Sequence, residues 1–347
     1  MRACVLRSVG ELCYQEVETP KPRRDEALLR IRRCGICSSD VDRVFKTGTY
    51  HFPTIPGHEM SGTVEAVGED VDKSIIGRNA VVFPLLPCFR CPSCTAGEYA
   101  CCDNYNYFGS RCDGGFAEYI AVPLWNLVFF PDGMSHDIAA LCEPASVALH
   151  AVNKATIKSK DSVAIVGGGT IGILTALWAK IQGAGKVILI GHGQSKLEMA
   201  GALGVEYVIN AETQDPEQRV LSLTDRRGAD IVLEMAGNET AVRTALCCVK
   251  KQGTVVLTGN PSGDIALQRD IYWRILRREL SIKGTWNSKY GEDKGEWAVT
   301  LKHMSDGSLP ADRLITHQFD LSKVESAFAT MRDKKSGALK VMLRIRD

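Results

Sequence analysis

The chain has 347 residues, of which 45% are hydrophobic and 24% charged, and its formal net charge at pH 7 is +1. This length exceeds what one ordinary hydrophobic core occupies and predicts two domains. The balanced charge, without a basic run, argues against nucleic acid or an anionic membrane surface as a partner. The sequence has no apolar stretch of membrane-spanning length and no long apolar signal region, so we expect a cytoplasmic protein.

The N-terminal part of the sequence is typical of short strands separated by turns. Residues 3–6 are apolar, and residues 26–31 partly alternate between apolar and charged side chains. Residues 62–68 form a β-branched run that is closed by glycine. This pattern predicts a compact antiparallel β-barrel rather than a series of βα units.

Cys37, His58 and Glu59 form a first group of candidate metal ligands. A thiolate, an imidazole and a carboxylate are the ligand types that zinc accepts. The alternative is a histidine in a turn beside an ordinary buried cysteine. A further acidic candidate, Glu143, follows Cys142 later in the sequence.

Six of the thirteen cysteines fall within residues 88–112. Disulfides are not expected in a reducing compartment, whereas four thiolates with short spacers can close a tetrahedral structural zinc shell. Cys101 competes for the fourth position, and an iron–sulfur cluster remains an alternative because the spacings overlap those of ferredoxins. The predicted ligands are Cys88, Cys91, Cys94 and Cys102.

The centre of the sequence carries a glycine motif between a strand and a helix. Residues 163–166 are continuously apolar, and residues 173–181 have helical spacing. Between them, glycines at 167, 169 and 172 permit a tight turn, close approach of a pyrophosphate and close helix–strand packing, in that order. This arrangement predicts a dinucleotide-binding unit. The candidate coenzyme-binding residues are Gly167, Gly169, Thr170, Ile171 and Gly172.

Strands and helices then alternate along the chain. A helix over residues 148–155 is expected to link the two parts of the chain, and a helix over residues 195–203 follows the second strand of the coenzyme unit. This alternation predicts a doubly wound parallel sheet of the Rossmann type. Its further strands are predicted over residues 186–190, 207–210, 230–234, 254–258 and 280–284.

Over essentially its whole length the chain resembles the zinc-containing medium-chain alcohol and polyol dehydrogenases. The resemblance rests on Gly57-His58-Glu59, the four-cysteine lobe, Asp-Gly-Gly-Phe-Ala-Glu-Tyr at 113–119, and the glycine motif. Glu143-Pro144 resembles the sorbitol dehydrogenase branch, and segments 84–89, 108–111 and 284–287 resemble a hexitol-phosphate dehydrogenase.

The resemblance also implies the domain plan. It implies a GroES-like catalytic domain at 1–147, a Rossmann domain at 148–287 and a C-terminal return to the catalytic domain at 288–347. Family members assemble through the edge strands of their coenzyme domains, so we expect a homodimer or homotetramer.

The activity implied by the resemblance is reversible hydride transfer between a secondary alcohol of a polyol, or polyol phosphate, and NAD(P). Cys37, His58 and Glu143 are then the ligands of a catalytic zinc, in addition to the structural zinc. Glu59 is either a fourth ligand or an exchange partner for water, and Cys142 is a competing ligand. A sorbitol- or xylitol-type dehydrogenase and a non-enzymatic dinucleotide-binding relative are alternatives.

The resemblance places a proton-relay hydroxyl at Ser39, although this residue could instead cap the helix that starts near Asp40. His51 is the candidate for completing the proton chain. The side chains expected to bind a substrate phosphate are Arg43, Lys46, Arg111 and Lys289, unless they are ordinary surface charges.

The coenzyme expectation concerns the turn after the second strand. Gly191 stands where many relatives have an aspartate for the adenosine ribose, and the first carboxylate downstream is Glu198. His192, Ser195 and Lys196 could instead donate to a 2′-phosphate. We therefore expect NADP(H) in preference to NAD(H), the alternative being NAD held less tightly.

Overall fold

A computed structural model describes residues 1–261 and 263–345. The chain divides into two compact units, which are described separately. The first unit comprises Met1–Glu143 and the residues from Lys289 onward, and the second unit comprises Pro144–Ser288.

The strands are, in chain order, β1 (Arg2–Ser8), β2 (Glu11–Glu16), β3 (Glu26–Ile36), β4 (Glu59–Val67), β5 (Asn79–Val82), β6 (Leu85–Leu86), β7 (Asn106–Tyr107), β8 (Tyr119–Pro123), β9 (Leu127–Phe129), β10 (Ser162–Val166), β11 (Lys186–Gly191), β12 (Tyr207–Asn210), β13 (Ala229–Glu234), β14 (Val249–Leu257), β15 (Ser281–Gly284), β16 (Ile315–Asp320) and β17 (Lys340–Arg344).

The α-helices are α1 (Ser38–Asp42), α2 (Pro92–Thr95), α3 (His136–Ala140), α4 (Cys142–Ala155), α5 (Thr170–Ile181), α6 (Gln194–Ala202), α7 (Pro216–Leu223), α8 (Glu239–Cys248), α9 (Arg269–Arg277), α10 (Gly295–Ser305) and α11 (Val324–Arg332). A turn of π-helix, Arg43–Thr47, follows α1 directly.

The first unit is built on a mainly antiparallel sheet in the order β16-β17-β3-β4-β5-β9, with β8 also paired to β3. Along β3, Ala27, Leu29 and Ile31 are buried and alternate with less buried side chains, as expected of a strand with one face on the core. The C-terminal strand β17 pairs antiparallel with β3. This pairing explains why the end of the chain belongs to the first unit.

The second unit contains a six-stranded parallel sheet in the order β12-β11-β10-β13-β14-β15. Every residue of β10 is buried, which is the pattern of a strand covered on both faces. Helices α5 to α9 connect successive strands, because parallel neighbours need a crossover. The doubly wound parallel sheet predicted from the sequence is confirmed.

Several predicted elements are longer in the structure, among them strand β14, which begins at Val249, five residues before the predicted start. Strand β3 continues five residues beyond 31, as far as Ile36. Helix α4 begins at Cys142, six residues before the predicted start, so Glu143 lies in its first turn. Within the described ranges, no helix is both long and apolar enough to cross a membrane.

Candidate metal and coenzyme sites

The first unit brings Cys37, His58 and Glu59 together. One ligand atom from each lies within 4.8 Å of the others, and His58 and Glu59 are buried. Cys37 lies immediately before α1, and Glu59 is the first residue of β4, so a helix start and a strand start hold the group. The sulfur, nitrogen and oxygen donors fit a zinc ion.

Asp40 contacts both Cys37 and His58 and is fully buried. Its Oδ2 accepts a hydrogen bond from the Cys37 backbone N–H at 3.0 Å, and its Oδ1 lies 3.3 Å from Nδ1 of His58. Burial alone would raise the pKa of Asp40, but His58 and Arg43 lower it overall. The contact is not aligned as a hydrogen bond, but the carboxylate attracts a proton on Nδ1 and so favours the ring orientation in which Nδ1 faces Asp40.

Glu59 forms a buried ion pair with Lys340 of β17. The Lys340 ammonium donates to both carboxylate oxygens, at 2.6 and 2.5 Å. Burial alone would lower the pKa of Lys340, but the attraction of the Glu59 carboxylate outweighs burial and raises the pKa of Lys340 overall. A Cβ atom on Gly35, the residue paired with Glu59 on β3, would lie 2.1 Å from Oε2 of Glu59, so a side chain there would push the carboxylate away from its present position. Glu59 therefore has a cationic partner supplied by the chain itself.

Glu143 is buried in the first turn of α4 and accepts a hydrogen bond from the Tyr107 hydroxyl at 3.3 Å. Burial raises the pKa of its carboxyl to about 7. A bound cation would lower that pKa, because it stabilises the carboxylate. The acidic residue grouped with Cys37 and His58 in the structure is Glu59, and Glu143 is not a member of that group. The Cys142 thiol donates to the Trp297 carbonyl at 3.8 Å.

Ser39 and Arg43 are neighbours one helical turn apart. Nη1 of Arg43 donates to the Ser39 hydroxyl oxygen at 2.9 Å and to Oδ1 of Asp40 at 3.1 Å. The Ser39 oxygen thus acts as an acceptor towards Arg43, which leaves its own proton to be donated elsewhere. One guanidinium nitrogen connects the candidate relay to the carboxylate that orients His58.

The remaining substrate candidates lie in different surroundings. The Arg111 guanidinium lies between the rings of Tyr50 and Tyr105, at 4.3 and 4.2 Å from their centroids. Lys289 is exposed, and its Nζ is 4.0 Å from Oε1 of Glu98. These two cations therefore interact with other side chains of the unit.

Two further candidates from the sequence also have partners nearby. Nζ of Lys46 lies 2.8 Å from a carboxylate oxygen of Asp42. The ring nitrogens of His51 lie 3.2 and 3.1 Å from the carbonyl oxygens of Pro53 and Arg111. The imidazole of His51 is therefore held by the backbone of this segment.

The four-cysteine lobe forms a second compact group. Its sulfur atoms all lie within 4.8 Å of one another, whereas Cys101 is exposed. The backbone N–H of Arg90 lowers the pKa of the Cys88 thiol to about 6, which favours the metal-binding thiolate. Burial raises the pKa of Cys94 to about 12, a cost that a bound metal would offset. The group, which fits a closed zinc shell, consists of Cys88, Cys91, Cys94 and Cys102.

In the second unit the glycine motif joins β10 to α5. Gly167 has φ +132°, and a Cβ atom on Gly172 would lie 1.8 Å from the Gly167 carbonyl oxygen. A Cβ on Gly169 would have no atom within 4 Å, so the space before the helix is open. Helix α5 begins at Thr170, and Ile171 follows it in the first turn. The open cradle at a helix N-terminus fits a pyrophosphate.

The turn after β11 lies against this cradle. A Cβ on Gly191 would lie 2.8 Å from Cα of Gly168, so the two backbones are in close contact. His192 is exposed, and Lys196 is half-buried, which lowers its pKa. The sequence of this turn contains no carboxylate, but a carboxylate from the segment after β12 contacts it. Oε2 of Glu212 accepts a hydrogen bond from the backbone N–H of Gly193 at 3.2 Å.

Known proteins share both units. Residues 23–132 match the alcohol dehydrogenase GroES-like domain, and residues 170–306 match the zinc-binding dehydrogenase family. The chain is 35% identical to galactitol 1-phosphate 5-dehydrogenase of Escherichia coli strain K12 over 323 residues, which is 92% of each chain. It belongs to the zinc-type medium-chain alcohol dehydrogenase family. The GroES-like and Rossmann architecture predicted from the sequence is thereby confirmed, as is an oxidoreductase that depends on NAD(P).

Other relatives cover the chain equally well. Sorbitol dehydrogenase of Bacillus subtilis strain 168 is 31% identical over 349 residues, covering 99% of this chain and 97% of its own. The crystal structure of galactitol-1-phosphate dehydrogenase from Escherichia coli gives a TM-score of 0.91 at 34% identity, covering 99% and 100%. A zinc-binding dehydrogenase structure from Sinorhizobium meliloti 1021, bound to NADP, gives 0.91 at 29% identity, covering 99% of both chains.

Four side chains near these sites were missed at the level of sequence. Asp40 follows Cys37 by three residues, and a carboxylate that orients a ligand histidine is a recurrent arrangement, so it could have been found. Tyr107, Lys340 and Glu212 gave no local signal. Each reaches its site from a distant part of the sequence.

The four-cysteine lobe gives a first prediction. We expect Cys91→Ser to lose one metal ion per chain and to lower the unfolding temperature, because an incomplete shell forfeits metal-derived folding energy. Metal content by atomic emission and thermal unfolding measure this. Cys101→Ser is the matched control and should keep the metal content of the original protein. Unchanged metal binding and stability in Cys91→Ser would contradict the prediction.

The buried ion pair gives a second prediction. We expect Lys340→Met to reduce the free energy of unfolding by about 3–5 kcal/mol, because the Glu59 carboxylate is left buried without its partner. Arg344→Met, on the same strand, removes an exposed ion pair with Asp320 and should cost less than about 1 kcal/mol. Urea unfolding compares the two. Equal losses would show that the burial of the pair is unimportant.

Proposed function

We propose that this protein is a zinc-dependent dehydrogenase that interconverts a secondary alcohol of a hexitol phosphate, galactitol 1-phosphate or a close relative, and the corresponding ketone. The observation that carries the proposal is the group of Cys37, His58 and Glu59 within 4.8 Å of one another. The chain's membership of the zinc-type family supports it. The glycine motif of the second unit supplies the coenzyme site.

The proposed ligands of the catalytic zinc are Cys37, His58 and Glu143, with Glu59 as a fourth ligand or an exchange partner. When bound, zinc supplies Lewis-acid stabilisation of negative charge on the alcohol oxygen, and the nicotinamide carries the hydride. The residues of the chain do the rest. Asp40 favours one orientation of the His58 ring, and Lys340 balances the charge of Glu59.

Proton movement is proposed to pass through Ser39. The Arg43 guanidinium donates to the Ser39 oxygen, which fixes the hydroxyl and leaves its proton available for transfer. As Ser39 takes up the proton of the alcohol at Oγ, it passes its own proton on to water, which reaches the half-buried serine, with His51 as the proposed further acceptor. Such a positioned relay is worth a factor of about 100 to 10,000 in rate.

The phosphate part of the proposal is supported by the 35% identity to galactitol 1-phosphate 5-dehydrogenase. Arg43, Arg111 and Lys289 are the proposed phosphate-binding cations. Arg43 contacts Ser39, the proposed relay residue, through Nη1. A guanidinium offers the paired donors that a phosphate accepts.

The proposed coenzyme is NADP(H) in preference to NAD(H). Gly191 cannot carry a carboxylate without a collision with the Gly168 backbone, so the usual acceptor of the ribose hydroxyls is excluded at that position. His192 and Lys196 offer donors to a 2′-phosphate. The similar structure from Sinorhizobium meliloti is bound to NADP, which agrees with this proposal.

We also propose a homodimer or homotetramer formed through the edge of the parallel sheet. All four residues of β15 are exposed, including Ile282, and α9, which precedes β15 in the chain, also carries exposed apolar side chains. An uncovered apolar edge strand favours pairing with another chain. The cytoplasm is the proposed compartment, because all thirteen cysteines are free.

The substrate proposal predicts that galactitol 1-phosphate is oxidised with a kcat/KM at least about tenfold above that of galactitol or sorbitol, since charge-assisted phosphate contacts strengthen binding. Steady-state kinetics with both coenzymes measure this. Cys37→Ser should abolish turnover and still bind coenzyme. Equal kcat/KM values for a polyol and its phosphate would favour a sorbitol-type dehydrogenase instead.

The coenzyme proposal predicts tighter binding of NADPH than NADH by the original protein. Lys196→Met should weaken NADPH binding by about tenfold and NADH binding much less, because a donor to the 2′-phosphate is lost. Fluorescence titration of each reduced coenzyme provides the two dissociation constants. Tighter binding of NADH by the original protein would end the proposal.

A further inference from the structure

The carboxyl ends of β11 and β12 lie side by side. The two strands are parallel neighbours, and Gly191 is in register with Asn210. Because parallel strands present their carboxyl ends at one edge of a sheet, the turns that follow them are neighbours as well. Glu212 stands two residues beyond the end of β12. The third strand of the sheet therefore delivers an acidic side chain to the turn that follows the second.

The exposed side chain of Glu212 contacts the turn after β11 through one hydrogen bond, and two further bonds join the residues around it. The backbone N–H of Glu212 donates to Oδ1 of Asn210 at 2.9 Å, and Oε2 of Glu212 accepts from the Gly193 N–H at 3.2 Å. Nδ2 of Asn210 donates to Oε1 of Gln194 at 3.4 Å, which joins the same two turns. The carboxylate thus lies against the turn that begins at Gly191.

This turn is where a Rossmann unit receives the adenosine ribose. The backbone of Gly191 is packed against Gly168 of the phosphate-binding loop, so the ribose region adjoins the turn. Relatives that bind the ribose diol do so with an acidic residue on the second strand itself. Here that position is glycine, and the carboxylate that accepts from the backbone of the turn comes from Glu212, while Glu198 accepts from the Gln194 side chain at the start of α6.

We propose that Glu212 is a specificity-determining residue of the coenzyme site, whose carboxylate opposes the 2′-phosphate of NADP(H). The inference rests on the coenzyme site of the proposed function and deepens it. Lys196 and His192 would attract a 2′-phosphate, whereas the negative charge of Glu212 would repel it and weaken NADP(H) binding. The preference for NADP(H) is therefore smaller than the basic side chains alone would give.

The test is Glu212→Gln in the zinc-loaded protein, with NADPH and NADH titrated separately by fluorescence. The substitution removes the charge and keeps an oxygen that can accept from Gly193. We expect the ratio of the NADH to the NADPH dissociation constant to rise about tenfold, chiefly through tighter NADPH binding. Glu212→Asp, which keeps the charge, should hold the ratio within about twofold of the original.

Glu206→Gln is the matched control. Glu206 is exposed, precedes β12 at its amino end and carries the same charge, so its removal should leave the ratio unchanged. An unchanged ratio in Glu212→Gln, or an equal shift in Glu206→Gln, would overturn the inference. Tighter NADH binding by the original protein would reject the proposed NADP(H) preference alone, because Glu212→Gln would still shift the ratio towards NADPH.

Discussion

The buried ion pair of Glu59 and Lys340 is the interaction on which the first unit most depends. Both side chains are withdrawn from water, and each charge is tolerated only because the other lies at hydrogen-bonding distance. The pair joins the first residue of β17 to the first residue of β4, two strands that both pair with β3, and a Cβ atom at Gly35 would crowd its carboxylate. The ion pair thus links the metal-ligand group, through Glu59, to strand β17, through Lys340.

Local patterns in the sequence were sufficient for the features that a few neighbouring residues determine. The glycine motif and the four-cysteine lobe are encoded by spacing within one loop, and their predicted residues do lie together. The pairing of Glu59 with Lys340 joins residues 281 apart and depends on sheet topology. The approach of Glu212 to Gly193 likewise follows from strand order, which no local periodicity specifies.

The close contact of Gly191 with Gly168 shows how backbone packing limits chemistry. An aspartate at 191 would need space that the phosphate-binding loop occupies, so the glycine there is a steric requirement of this unit. Absence of a carboxylate from one position therefore does not mean absence of negative charge from the site. A neighbouring strand can supply that charge without a side chain at the crowded position.

The first unit is interrupted in sequence by the second, and its strand β17 comes from the C-terminal end. During synthesis the second unit, which is continuous, emerges in full before β17 has been made. Domains generally fold as units while the chain grows, so the inserted unit can fold first. The Glu59–Lys340 pair of the first unit, by contrast, cannot form until the second unit has been synthesised, because Lys340 follows that unit in the sequence.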